Sequence, residues 1–507
     1  LVRVNQLPVE TEAEPNDDYR KAPEFDAPLA FCGVIGKDND FDCFSFDAIK
    51  GRKYRVQVYA RDLLRASLDP VINVFGPDNK TIRSSDDVAG KMDPFIDFSA
   101  AVDGKHTVRI YDHLRLGGPA KQYRIEVAER QPNLALQLKE LRRDEATPAL
   151  VPSGGHGAFV VSAARSDYGE AAGIELSELP EGVTATTFDL PRGRSEIPVL
   201  LTAATDAKQA SSRFQVQAHP KDAKALQVGS SFSQLHKLVL GQNRRSMFQT
   251  VTEQAVCAVV EKAPFEISLV QPKTPIVRQG SRSLTVNIKR DEGFDETVSL
   301  RTLYNPPGIG VNNSRKIAKG KDSVEIPITA NGGAAIGNWP VILLATFSAK
   351  GGSQVISTNA IDLHVESQYF KYSFPKVAGQ QGQSMSIAIG VEVLREFEDP
   401  TEVELVGLPK GVTSSAAKQV VSKDSTSIEF PIEIADDAKI GTHKTLNCVA
   451  RMTRDGEVIT QTVGTGALRI DKARPASGDV KKKMPAKQKS KPLSRLEQLR
   501  QANEGDN

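Results

Sequence analysis

Residues 53–60, KYRVQVYA, set Tyr54, Val56, Val58 and Ala60 on one side of an extended chain and Lys53, Arg55 and Gln57 on the other. Apolar residues at every second position mark a strand with one face in a core and the other in water. HTVRIYD (106–112) and QYRIEVAE (122–129) repeat the pattern, pointing Val108 and Ile110, then Tyr123, Ile125 and Val127, inward. FGPDNK (75–80) supplies turn residues between VINVF and TIRSS, so those two runs read as a hairpin. Period two dominates from residue 30 to 470, and no long stretch carries apolar residues at helical spacing. Many short strands with Gly, Pro and Asn turns between them predict an all-β chain of sandwiches.

Past residue 130 the chain repeats itself. LPEGVTA at 179, NPPGIGV at 305 and LPKGVTS at 408 are each followed by a strand with an apolar-Pro step: EIPVLL, EIPITA and EFPIEI. The second and third copies continue to AAIG, ending at Gly337, and AKIG, ending at Gly441. Three divergent copies predict three immunoglobulin-like sandwiches, each closing on its own two-sheet core. A proline inside a strand cannot donate to a ladder, which predicts that the proline strands lie at sheet edges.

Length and charge bound what the chain can do. At about 100–150 residues per domain, 507 residues make an array of about three to five domains. The 65 Lys and Arg against 63 Asp and Glu give a net charge of +2, with no global pull toward nucleic acid or membrane. Arg244 and Arg245 in GQNRRSM, and the lysine-rich tail, lack interleaved aromatic residues, which argues against nucleic-acid binding. No window reaches the roughly 18 apolar residues of a membrane span, and no signal-peptide pattern opens the chain. Because the first residue is Leu1 and not methionine, the N-terminus is expected to be incomplete, with a signal peptide upstream.

Four cysteines lack the paired spacing of a zinc site. Cys32 and Cys43 flank GVIGKDNDFD in two runs that read as neighbouring strands, so the pair is either bridged or two free buried thiols. A bridge requires an oxidising compartment. The seven histidines form no HExxH, and neither a GxSxG elbow nor a GxxxxGK[ST] loop occurs. His364, in DLHVE, and His113, in YDHLRLGG, read as surface residues on a strand and in a turn. No enzyme activity is expected of this chain.

ETEAEPNDDYRKA (10–22) crowds Glu10, Glu12, Glu14, Asp17 and Asp18 around a proline. So many carboxylates demand either solvent or a cation. DNDFD mimics the opening of an EF-hand, but Cys43 stands where glycine is needed and Ile49 where a bidentate glutamate is needed, which excludes that loop. Asp86, Asp87 and Asp93 in SSDDVAGKMDP read as Asx-type turn residues.

EAEPNDD, CGVIGKDNDFDCFSF, KGRKYRVQVYARDLLRASLDPVINVF, SSDDVAGKMDPFIDF and DGKHTVRIYD, in that order, resemble the bacterial pre-peptidase C-terminal domain. The resemblance implies a jelly-roll-like β-sandwich over residues 10–130. EKAPFEISLVQP, RDEGFDETVSLR and NPPGIGVNN are similar to the immunoglobulin-like repeats that accompany this domain in large exported planctomycete proteins. The expected organisation is a lead-in at 1–9, the jelly-roll-like sandwich at 10–130 and immunoglobulin-like sandwiches at 131–262, 263–367 and 368–472. A disordered Lys-rich tail follows at 473–507, with a short helix after Ser494.

In calcium-binding members of that family, an acidic segment before the first core strand and an acidic turn before an aromatic-x-Phe strand hold the metal. Carried over, the resemblance implies Glu12, Glu14, Asn16 and Asp17 from the first segment and Asp40 and Asp42 from the second, with Asp38 in reserve. Cys43 departs from the family pattern, where an aromatic residue is usual. Calcium takes six to eight oxygens, and five carboxylates with one amide suffice for one or two ions.

The resulting expectation is a non-catalytic protein that is secreted, periplasmic or on the cell surface, with a calcium-stabilised sandwich and a stalk that meets extracellular protein or polysaccharide polymers. The competing reading is the accessory C-terminal region of a secreted hydrolase whose catalytic domain precedes Leu1.

Overall fold

KYRVQVYA occupies a central strand, and its alternation is the alternation of burial: Tyr54, Val56, Val58 and Ala60 are buried while Lys53 and Arg55 are exposed. The structure, a computed structural model, describes residues 5–88, 92–141, 148–222, 228–313, 315–349, 352–397 and 401–473. The tail and its terminal helix, expected from 473 onward, lie outside the described residues apart from residue 473. Among the described residues every regular element is a β-strand except one short 3-10 turn, Gln242–Arg244.

The N-terminal sandwich contains β1 (Val9–Thr11), β2 (Glu24–Phe25), β3 (Leu29–Val34), β4 (Asp42–Ala48) and β5 (Lys53–Tyr59). It continues with β6 (Pro70–Phe75), β7 (Thr81–Ser85), β8 (Phe95–Ser99), β9 (Gly104–Asp112) and β10 (Gln122–Glu129). One sheet runs β1-β3-β10-β5-β8 and the other β2-β4-β9-β6-β7. The expected β6–β7 hairpin forms, with Asn79 in the left-handed region at φ 60° and Gly76 N–H donating to Lys80 O at 2.9 Å. Phe31, Phe44 and Phe46 fill the space between the sheets, Phe31 stacking on Phe44 at 4.3 Å between ring centroids. Burying each such side chain contributes about 1.5–3 kcal/mol.

Three further cores follow. Leu134 to Val259 build one, Ala263 to Val365 the next and Tyr369 to Ile470 the last. The repeat signature of the sequence is a physical contact. Gly182, Gly308 and Gly411 all adopt positive φ, at 77°, 79° and 85°. A Cβ on Gly308 would lie 2.5 Å from Ala334 Cα, and one on Gly411 would lie 2.9 Å from Ala438 Cα. These alanines belong to AAIG and AKIG, so glycine and alanine recur together because one packs on the other. In the first copy Ala207 takes that place.

The proline strands are not edge strands. Glu196–Ala203, Ser323–Ala330 and Ser427–Ile434 each stand second in their sheet, covered by the short outer strands Val183–Thr187, Ile309–Val311 and Val412–Ser414. The outer strands pair only with residues that follow Pro198, Pro327 and Pro431. Asn312 N–H reaches Pro327 O at 3.3 Å and Ser414 Oγ reaches Pro431 O at 2.6 Å, both from the outer side. A residue's N and O point the same way in a strand, so each missing N–H faces a stretch where no ladder bond is lost.

The sandwiches are joined rather than strung on loose linkers. Lys53 and Arg130 of the first sandwich pair with Asp167 of the next. Val160 is part of the core that begins at Ala263. Gly280 and Ser281 pair with Gln461 and Thr460, which makes one continuous sheet across the last two repeats.

The bridge between Cys32 and Cys43 does not form. β3 and β4 are consecutive in sequence but belong to opposite sheets, so the two runs are not sheet neighbours. All four thiols are free. Cys43 Sγ lies 3.5 Å from Asp17 O, whereas Cys32 Sγ meets the Arg124 guanidinium.

Candidate metal centre

The alternation that buries Phe44 and Phe46 also determines where Asp42 goes. Residues 42, 44, 46 and 48 of β4 share the inward face, and Asp42 is the first of them, at the mouth of the sandwich. It is fully buried, and neither of its oxygens has a hydrogen-bond partner. Burial, then the neighbouring Glu12 carboxylate, pushes the Asp42 carboxyl up to about 9. Such a setting favours the protonated carboxyl over the bare anion unless a cation takes the proton's place.

The entry segment supplies the facing groups. Asn16 is buried, and both atoms of its side-chain amide lack partners, while its backbone oxygen accepts from Cys43 N–H at 3.1 Å. Glu14 offers a carboxylate to the same space, raised by burial and then by Asp40. Asp40, in the turn before β4, accepts from Gly36 N–H at 2.7 Å with Oδ2 and leaves Oδ1 buried without a hydrogen bond. One ligand atom from each of Glu14, Asp40 and Asp42 falls within 4.8 Å of the others.

The structure therefore divides the six residues implied by sequence. Glu14, Asp40 and Asp42 converge, and Asn16 is buried in the same entry segment with its backbone oxygen on Cys43 N–H. Glu12 flanks them with both oxygens engaged, accepting from Val34 N–H at 2.7 Å and from Tyr123 O–H at 3.0 Å. Asp17 caps the turn, accepting from Phe41 N–H at 3.2 Å, and stands at the exposed rim. Asp38 is turned away to Gly117 N–H at 2.9 Å. Asp93, read as a turn residue, takes Ala60 and Arg61 N–H, each at 2.8 Å.

Three residues that shape the site carry no acidic signal. Tyr123 belongs to the inward row of β10, and burial, then Asp42 and Glu12, hold its hydroxyl well above the ordinary range. Gly33 makes room, since a Cβ there would stand 2.2 Å from Glu12 Oε2 and 2.3 Å from the Tyr123 hydroxyl. Lys37 places its amine 3.5 Å from Asp17 Oδ2 and 3.6 Å from Asp40 Oδ1. It is the nearby cation of the chain itself, and these carboxylates raise its own pKa.

The donor set suits a hard divalent ion. Three carboxylates and an amide oxygen, with no thiolate or imidazole among them, fit calcium and disfavour zinc or copper. An amide and a carboxylate buried without partners are costly unless something bonds to them. A cation that accepts their lone pairs removes that cost.

No protein-family model matches the chain, and no curated protein matches it. Among solved structures, the pre-peptidase C-terminal domain of a collagenase from Bacillus anthracis is similar at 12% identity and a TM-score of 0.18, over 23% of this chain and 99% of that one. A protein of unknown function from Porphyromonas gingivalis W83 is similar at 9% identity and a TM-score of 0.17, over 41% of this chain and 100% of that one. The D0-D1 domain of intimin is similar at 11% identity and a TM-score of 0.15, over 40% of this chain and 97% of that one.

Proposed function

We propose that the chain is a non-catalytic, multidomain binding or structural protein of the cell exterior, whose first sandwich is closed by calcium. Glu14, Asn16, Asp40 and Asp42 would hold the ion. The ion would supply charge neutralisation and a cross-link between the entry segment and the turn that leads into β4. The observation that carries this reading is the set of buried oxygens on Asn16, Asp40 and Asp42 that no group of the protein hydrogen-bonds.

The entry segment is the natural thing to fasten. It also pairs through β1 and β2, each parallel to its neighbour, and Tyr19 stacks on Phe75 at 4.2 Å. Calcium would add a bond at the point between those two pairings. Beyond it, the joined sandwiches would act as a spacer and present their outer faces to extracellular protein or polysaccharide polymers. Among the described residues no helix is long and apolar enough to cross a membrane.

Thermal unfolding of the full chain in calcium and in chelator tests the reading. An ion that binds only the folded form, at a hundredfold excess over its Kd, adds about 2.7 kcal/mol. For a domain of this size that raises the first transition by on the order of 10 °C. Identical melting in both conditions would refute calcium closure.

A further inference from the structure

We infer that the hairpin formed by Gln234–Leu240 and Ser246–Thr252 is a docking element for an anionic lipid surface. These strands form the one two-stranded sheet among the described residues, and they pair only with each other. A ribbon of this kind has no core of its own to bury its side chains. Yet its sequence, QLHKLVLGQNRRSMFQTVT, is rich in large apolar residues. Met247 is 67% exposed, Phe248 60% and Leu238 59%, and Val239 and Val251 are exposed as well.

Two observations select the occupant. The first is charge. Residues 223–252 contain no Asp or Glu, although the chain has 63 of them in 507 residues, and they include Lys237, Arg244 and Arg245. Such a segment repels a second copy of itself and complements an anionic partner. The second is the distribution of apolar groups. Along the regularly paired stretch from Phe248 to Thr252, Phe248 and Val251 lie on opposite faces by alternation, and both are exposed. A folded protein surface covers one face of a ribbon. A lipid interface can receive both, with the guanidinium groups at the turn reaching phosphates while their stems lie along apolar surface. This inference is independent of the cation site, which lies in a different sandwich.

Co-sedimentation of the full chain with vesicles tests it, using phosphatidylglycerol mixed with phosphatidylcholine against phosphatidylcholine alone. The chain is expected to pellet with the anionic vesicles, less so as salt is raised, and to stay in solution with the neutral ones. R244E/R245E should lower the bound fraction about tenfold or more. M247S/F248S should lower it as well while leaving thermal unfolding unchanged, because all four side chains are exposed. Equal pelleting with both vesicles, no pelleting with either, or variants that bind like the parent would overturn the assignment. Chelator should leave binding unaltered, so its failure and that of calcium closure are read separately.

Discussion

At the scale of single residues the decisive feature is a carboxyl placed where an aliphatic side chain would be at ease. Replacing Asp42 by Asn removes a buried group that favours its proton, so D42N should melt in chelator at or above the parent's temperature. It should also lose the increase that calcium gives the parent, and differential scanning fluorimetry with and without calcium reads both. Lys37 acts in the opposite sense. Its amine competes for Asp17 and Asp40, so K37Q should tighten calcium binding by about three- to tenfold, measured by titration with a competing chelator. Gly33→Ala forces a Cβ against Glu12 and Tyr123, which should cost about 1–3 kcal/mol in denaturant unfolding. The converging carboxylates were legible because acidic residues crowd visibly in the sequence. Tyr123 and Gly33 were not, since a tyrosine in an alternating strand and a glycine beside it read as ordinary core, and only the fold brings them to Glu12.

At the scale of elements, alternation located the strands well but could not say which strands share a sheet. Cys32 and Cys43 illustrate the limit: a ten-residue connection suits either a hairpin or a crossing between sheets, and here it crosses. The prolines illustrate another, because an edge can be blunted by a three-residue outer strand that no periodicity reveals. The joint between the last two repeats is reinforced by the first residue of the strand Glu457–Asp471. Glu457 Oε2 accepts from Arg282 at 2.9 Å, from the Thr274 hydroxyl at 3.0 Å and from the Lys273 and Thr274 N–H groups. Partial burial works against the charge, but the Arg282 guanidinium and these N–H and O–H donors hold the Glu457 carboxyl at about 2. A depressed carboxyl contributes stability above its ordinary pKa of about 4.3 and loses it as pH falls through the folded value. E457Q should therefore flatten the acid limb of the unfolding profile of these repeats between pH about 4.5 and 2, followed by circular dichroism.

At the scale of the molecule, the joints make the sandwiches mechanically dependent. Gln461, fully buried, accepts from Tyr369 N–H at 2.9 Å and donates to Phe370 O at 2.6 Å in the continuous sheet of the last two repeats. Those repeats should unfold as one calorimetric transition, and Gln461→Ala should lower its temperature by leaving the Tyr369 and Phe370 backbone groups of the last repeat unpaired, at about 1–3 kcal/mol. Calcium should shift only the transition of the first sandwich, whose core is separate. The claim on which the functional account rests is that Glu14, Asn16, Asp40 and Asp42 bind a divalent ion together. Isothermal titration of calcium into the full chain, beside D42N, tests it most directly. Saturable binding by the parent that D42N abolishes is the predicted result. No binding by the parent, or equal binding by the variant, would contradict the claim.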